Sequence, residues 1–365
     1  MKLRKYVLAA LAVGATLYAI EAVRTLRPFV RVSPRGTEGC RRVEVPGQPA
    51  LPALIGAEDM QFDHATGTLW IAAADRRGDR SFRPHDAAIF RWRPDSEPQP
   101  SRVAVEGFTA PLRLHGLGLY APPAAPGGEA RAERRLFLVQ HGESGESVEI
   151  FREDGGVLRH VRSVRDPLII SPNDVEPTGP ESFYVTNDHG RPPRLGHLLE
   201  DFAFLSNASV VYWDGAAART VATGLRYANG VTASADGRFL VVAETTASRL
   251  SVFWRESDGG LRPAGSAALD TSPDNLSLDE QGRFWVAAHP SNLAFLRHAK
   301  DGSRPAPSQV LRFQLSREGV PTATETVLLD DGRALSGSSV AAVHGTRWLV
   351  VGGVLDRGVL LCPRG

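Results

Sequence analysis

The chain has 365 residues, with 42 Lys+Arg against 41 Asp+Glu and a formal net charge of +1, which excludes the electrostatic footprint of a general nucleic-acid binder. Hydrophobic residues at 42% and charged residues at 23% describe a folded protein with a large core and exclude disorder, collagen and coiled coil. The 36 Gly and 26 Pro are scattered along the chain, which suits many short strands joined by turns and argues against a helical bundle.

The first element in chain order is apolar. Lys2, Arg4 and Lys5 precede a run from Tyr6 to Val23 in which Glu21 is the only charge. A basic start followed by such a run predicts an N-terminal hydrophobic helix, an export signal retained as an anchor. Residues 1–31 are assigned to this segment and its linker, and 32–365 to the folded domain. No small-x-small cleavage site stands out, and Arg24, Arg27 and Arg31 on the far flank leave the orientation open. The two cysteines are Cys40 and Cys362. In an exported protein they are expected to form a disulfide tying the ends of the domain, the alternative being two free thiols.

Self-similarity dominates the rest. A strand-like core recurs as Leu69-Trp70-Ile71, Leu136-Phe137-Leu138, Phe183-Tyr184-Val185, Phe239-Leu240-Val241, Phe284-Trp285-Val286 and Trp348-Leu349-Val350. The spacing of about 45–67 residues is near that of propeller repeats. Further strand-like runs lie between the copies at 88–92, 148–152, 210–213, 250–255 and 310–315. Several strands per repeat predict an all-β fold, a six-bladed β-propeller.

Upstream of each copy a polar group opens a short apolar strand: Glu58-Asp59, His115-Gly116, Asn173-Asp174, Asn229-Gly230, Asp274-Asn275 and Ser338-Ser339. The innermost strand of each blade lines the central channel, so equivalent residues meet at one end of it. Glu58, Asn173, Asn229, Asp274 and Asn275 are thereby expected to form a ring of oxygen donors. Carboxylate and amide oxygens without thiols describe a hard-cation site, calcium more readily than magnesium. One Asn-Gly or Asp-Asn pair alone would be an ordinary turn, but five donors at one phase of a repeat are not.

These residues resemble the paraoxonase family of calcium-dependent arylesterases and lactonases. The matching stretches include Pro111 to Gly116, Val139-Gln140-His141, Pro172-Asn173-Asp174, Gly179 to His189, Tyr227-Ala228-Asn229-Gly230, Asp274-Asn275 and Trp285 to Pro290, and they run from about residue 40 to the C-terminus. The resemblance implies a six-bladed propeller with two calcium ions. Glu58, Asn173, Asn229, Asp274 and Asn275 match the ligands of the catalytic ion. Asp59, Asp174 and the carbonyl of Leu117 match those of the buried structural ion. His115 and His141 match the catalytic histidine pair. Asp188 and His189 fall where channel groups support the structural site, and the cysteines fall where the family has its disulfide. Ala288 replaces the family's free channel cysteine, so no thiol chemistry is expected. The stretch Asp75–His85, with Arg76, Arg77, Arg80 and Arg83, is expected to be a mobile lid unlike its animal counterpart.

The expected mechanism is hydrolysis of a small ester or lactone. Calcium holds the carbonyl oxygen and its developing charge, and His115, oriented by His141, activates water; Glu58 or Asp274 is the alternative base. No serine-nucleophile, zinc-protease, P-loop or dinucleotide motif is present. Apolar residues at 195, 198, 199 and 202 have helical spacing, and the resemblance implies a lid helix there that walls the site and touches membrane, with simple packing on the rim as the plainer reading. Asn207-Ala-Ser matches a glycosylation pattern. The competing functions are a sugar lactonase of the gluconolactonase or regucalcin type and a non-catalytic exported scaffold.

Overall fold

The computed structural model describes residues 2–48, 51–77, 85–122, 133–191 and 195–364. Among the described residues six sheets, antiparallel apart from one outer pairing, follow one another around a ring. Their innermost strands are Ala57–Asp63, Leu114–Tyr120, Pro172–Pro177, Ala228–Ala233, Ser272–Leu278 and Ser338–His344, which number blades 1 to 6. All six polar pairs singled out in the sequence lie on these strands. The six bulky repeat cores are the second strands, Thr68–Asp75, Arg135–Gly142, Phe183–Asn187, Phe239–Glu244, Phe284–His289 and Trp348–Gly353. Their large side chains pack between blades. Phe137 and Phe183 meet at 5.8 Å between blades 2 and 3, and Phe239 and Phe284 share one buried cluster between blades 4 and 5. A fully buried Phe contributes about 1.5–3 kcal/mol.

Blade 2 departs from four strands. Ala104–Glu106, on the way from blade 1, adds a fifth by pairing in parallel with the outer strand Val157–Val164. Blade 6 closes the ring. Its outer strand, Arg41–Val43, comes from the start of the domain and pairs with Val359–Pro363 from its end, Arg41 opposite Leu361. Beside this pairing Cys40 and Cys362 form a disulfide across 322 residues.

A second repeat runs through the inner strands. In every blade the register with the neighbouring strand shifts at the polar pair: between Ala57 and Asp59, Leu114 and Leu117, Pro172 and Val175, Ala228 and Val231, Pro273 and Leu276, and Ser338 and Val340. Regular strands send successive side chains to opposite faces. A bulge breaks that alternation and re-aims the chain, so consecutive residues such as Glu58-Asp59 and Asn173-Asp174 both serve the channel.

Among the described residues three helices sit outside the ring: α1 (Lys2–Leu26), α2 (Leu195–Ala203) and α3 (Asn292–Lys300). The C-terminal end of α1 is docked. Glu21 pairs with Arg226 at 2.5 Å, Tyr18 meets Phe204 at 5.5 Å, and the Thr25 carbonyl accepts from Asn292 on α3. Among the described residues no helix is long and apolar enough to cross a membrane.

Candidate active site

The Asn residues of the channel share one arrangement. Asn173 Nδ2 donates to Asp188, Asn229 Nδ2 to Thr245 Oγ1 at 3.1 Å, and Asn275 Nδ2 to the Glu58 carbonyl at 3.0 Å. Each amide is fixed through its nitrogen, and all three Oδ1 atoms are buried without a hydrogen-bond partner. A buried unpaired carbonyl oxygen costs about 1–3 kcal/mol, so three at one phase of the repeat fit a bound cation. Glu58 and Asp274, on the inner strands of blades 1 and 5, are buried too. Asp274 is held by His289 Nε2 at 3.0 Å, whose ring stacks on Phe295.

One bulge residue further along, Asp59 and Asp174 are buried with no cationic side chain against them. Asp59 accepts from the amides of Met60 and Leu117, and Asp174 from those of Val175 and Val231. Burial pushes both carboxyls up, and the neighbouring Asp59 charge pushes Asp174 further. Two carboxylates confined together are stable as anions only with a positive charge between them. The donor chemistry of both groups, all oxygen, fits calcium.

Beside the upper donors lies a chain of four side chains. Glu58 Oε1 is 2.7 Å from His115 Nε2, His115 Nδ1 is 2.8 Å from His141 Nε2, and His141 Nδ1 is 2.5 Å from Glu146 Oε2. Two of the three contacts are hydrogen bonds, and the third sets the Glu58 carboxylate against His115 Nε2, so the two rings lie in line between two carboxylates. Burial would raise the Glu58 carboxyl, but Arg76 first, then His115 and His141, hold it down to about 2.

Three of these participants were not singled out from the sequence. Arg76, expected in a mobile lid, is buried and ion-paired to Glu58 Oε2, with a further hydrogen bond to the Leu114 carbonyl. Arg80 and Arg83 lie outside the described residues. Glu146 reaches His141 across a tight hairpin, and His289 stood in a matching stretch without a role. Of the two residues expected to support the lower carboxylates, Asp188 contacts Asn173 of the upper set and His189 contacts Asp188. Asp188 accepts from Ser171, Asn173 and His189, whose Nε2 meets Asp201 on α2 at 3.1 Å. The helix expected over the site is thus tied to its rim, with Glu200 accepting from the Gly190 amide.

Buried oxygen donors thus stand in a propeller channel beside a pair of hydrogen-bonded histidines. The family model described as Arylesterase matches residues 128–363. Rat serum paraoxonase/arylesterase 1 is 30% identical over 312 residues, 83% of this chain and 85% of the rat protein. The mouse protein of the same name is 33% identical over 88% of this chain and 89% of its own length. Human serum paraoxonase/arylesterase 2 is 36% identical over 62% of this chain and 64% of that protein. The chain belongs to the arylesterase family. Among solved structures, a gluconolactonase from Xanthomonas campestris superposes with a TM-score of 0.51 at 17% identity, covering 92% of this chain and 99% of that one. A luciferin-regenerating enzyme gives 0.52 at 13% identity, covering 91% and 96%. At such identities the likeness is one of fold.

Proposed function

We propose that this protein is a calcium-dependent hydrolase of lactones and aryl esters whose folded domain spans residues 32–365. The catalytic ion is assigned to Glu58, Asn173, Asn229, Asp274 and Asn275, and a structural ion to Asp59, Asp174 and the Leu117 carbonyl. The observation that carries this reading is the set of three buried, unpartnered Asn oxygens, each turned by its own amide nitrogen. Family membership supports the reaction class.

The residues of the upper set would hold calcium, which would supply Lewis-acid polarisation of the substrate carbonyl and stabilisation of the charge on its oxygen. His115 receives the proton of the attacking water at Nε2. His141 supplies the acceptor for His115 Nδ1–H, and Glu146 keeps the proton of His141 on Nδ1, so the pair takes up the extra proton without a buried unpaired charge. His289 holds Asp274, and Asp188 holds the Asn173 amide with its oxygen free.

The formed disulfide supports export to an oxidising compartment. We infer contact with a membrane surface through α2, an amphipathic helix on which Leu199 and Phe202 are exposed, as in helices that lie in an interface; Leu11, Val13, Leu17, Ile20 and Val23 of α1 are exposed as well.

The test is hydrolysis of phenyl acetate and of γ- and δ-lactones by the full chain, before and after chelation and with calcium restored. Activity lost and regained supports the reading; activity that survives exhaustive chelation overturns the metal route. A preference for sugar lactones favours the gluconolactonase alternative. No turnover despite a calcium-dependent rise in Tm favours a binding scaffold.

A further inference from the structure

The inner strands carry the oxygen donors at their first residues, so their last residues mark the opposite mouth of the channel. Three side chains meet there from three different blades. His64 is in the hairpin after Ala57–Asp63 in blade 1, Glu280 in the hairpin after Ser272–Leu278 in blade 5, and His344 ends Ser338–His344 in blade 6. Among the described residues these form the one group of three His, Cys, Asp or Glu whose donor atoms all lie within 4.8 Å of one another. We propose that His64 Nδ1, His344 Nδ1 and a Glu280 carboxylate oxygen bind a divalent transition-metal ion of the zinc type, remote from the calcium sites.

The donor atoms are positioned as ligands rather than as an ion-pair cluster. Glu280 Oε1 is 3.2 Å from His64 Nδ1 and 2.7 Å from His344 Nδ1. Both nitrogens are nonetheless buried without a hydrogen bond, because the approach has the distance of one but not its direction. With zinc–ligand bonds of about 2.0–2.2 Å, two ligands of a tetrahedral ion stand about 3.3–3.6 Å apart, so one pair is already near that spacing and the other needs to open by about 0.6 Å. His64 Nε2 contacts the Leu278 carbonyl at 2.9 Å. That contact puts the ring proton on Nε2 and leaves the Nδ1 lone pair for a metal, the usual second contact of a ligating histidine. Glu280 is oriented in turn by the Gly345 amide, at 3.0 and 3.2 Å from its two oxygens. The rings are held face to face: His64 on His344 at 5.8 Å, and His344 on Phe62 at 5.3 Å.

Two imidazoles and one carboxylate form a borderline donor set that favours zinc over calcium, so both metals can be held in one chain without exchange. Glu280 is exposed on the surface, which leaves a fourth position to water. The site would bridge blades 5, 6 and 1, across the blade that closes the ring.

The experiment uses tag-free, calcium-saturated full chain dialysed against zinc, followed by metal analysis, with cobalt as a visible-spectrum probe. One zinc per chain is expected in the wild type, with a tetrahedral cobalt spectrum and a raised Tm. His64→Ala and His344→Ala are expected to lose all three while keeping ester hydrolysis, and His141→Gln to keep all three. Wild type that retains no zinc, or zinc lost in His141→Gln but kept in His344→Ala, overturns the proposal. If a variant fails to fold, the wild-type zinc content and cobalt spectrum decide the question alone.

Discussion

Glu146 sits furthest from the metal donors in the four-residue chain, yet it decides where the proton of His141 rests. Glu146→Gln keeps an acceptor but removes the charge that balances the extra proton. The variant is expected to lose kcat with little change in KM, by a part of the roughly 10²–10⁴-fold that a positioned base contributes. Steady-state kinetics across pH check this, and an unchanged kcat profile would detach Glu146 from the dyad. His189 yields a prediction in stability. Burial opposes its charge, but Asp188 and Asp201 raise its pKa from 6.5 to about 10. A raised folded-state value makes the contribution complete below the unfolded value and lost as pH rises toward about 10. The unfolding free-energy difference between wild type and His189→Gln, from denaturant melts in excess calcium, is therefore expected to be largest below pH 6.5 and to shrink through the alkaline range. A difference flat in pH would leave the ion pair without a role. The oxygen donors were legible in the sequence because the repeat puts them in phase. Arg76 and Glu146 were not, because their roles come from a loop fold and a hairpin that no periodicity marks.

The inner strands pack against each other through glycine. A Cβ on Gly230 would stand 2.6 Å from Asn275 Cα and 2.7 Å from the Asp274 carbonyl oxygen, and one on Gly116 would meet Asp174 Cα at 2.5 Å. Both obstacles are backbone, which cannot rotate away. Gly230→Ala is expected to cost about 1–3 kcal/mol, the usual range for overpacking, and also to weaken calcium binding by pushing the Asp274-Asn275 bulge outward. Calorimetric Tm and calcium titration test the two parts, and a stable variant with normal affinity would sink the close-packing argument. The strands could be predicted from their alternation of bulky and turn residues. The bulges could not, since a one-residue shift in register leaves no trace in composition, and it is the bulges that let adjacent residues share one channel.

The ring is held by its ends. Cys40–Cys362 closes a loop spanning 322 residues, for which the chain-entropy model gives about 6 kcal/mol, at or above the most that disulfides usually contribute. Cys40→Ser/Cys362→Ser is expected to fold, to lower Tm by several degrees and to keep its hydrolytic activity at moderate temperature. Thermal melts with and without reductant test this; equal Tm values would mean that the Arg41–Val43 strand alone secures the closure. The number of blades could be counted from the sequence, and the pairing of the cysteines was the expected one. The fifth strand of blade 2 could not be foreseen, because its three residues pair through backbone alone.

Closure of blade 6 by strands from both ends of the domain also sets an order of events during synthesis. Blades 2 to 5 can assemble as the chain emerges, each on the one before it. The circle is incomplete until Val359–Pro363 has left the ribosome. Glu58 belongs to the first blade and Asn275 to the fifth, and only closure by the last blade brings them within hydrogen-bond distance of one another. The binding energy of an ion in the channel is therefore available to the finished circle and not to any partial array. Under the proposed assignment calcium would favour the completed ring, and its concentration where the chain is released would shift the balance toward closure.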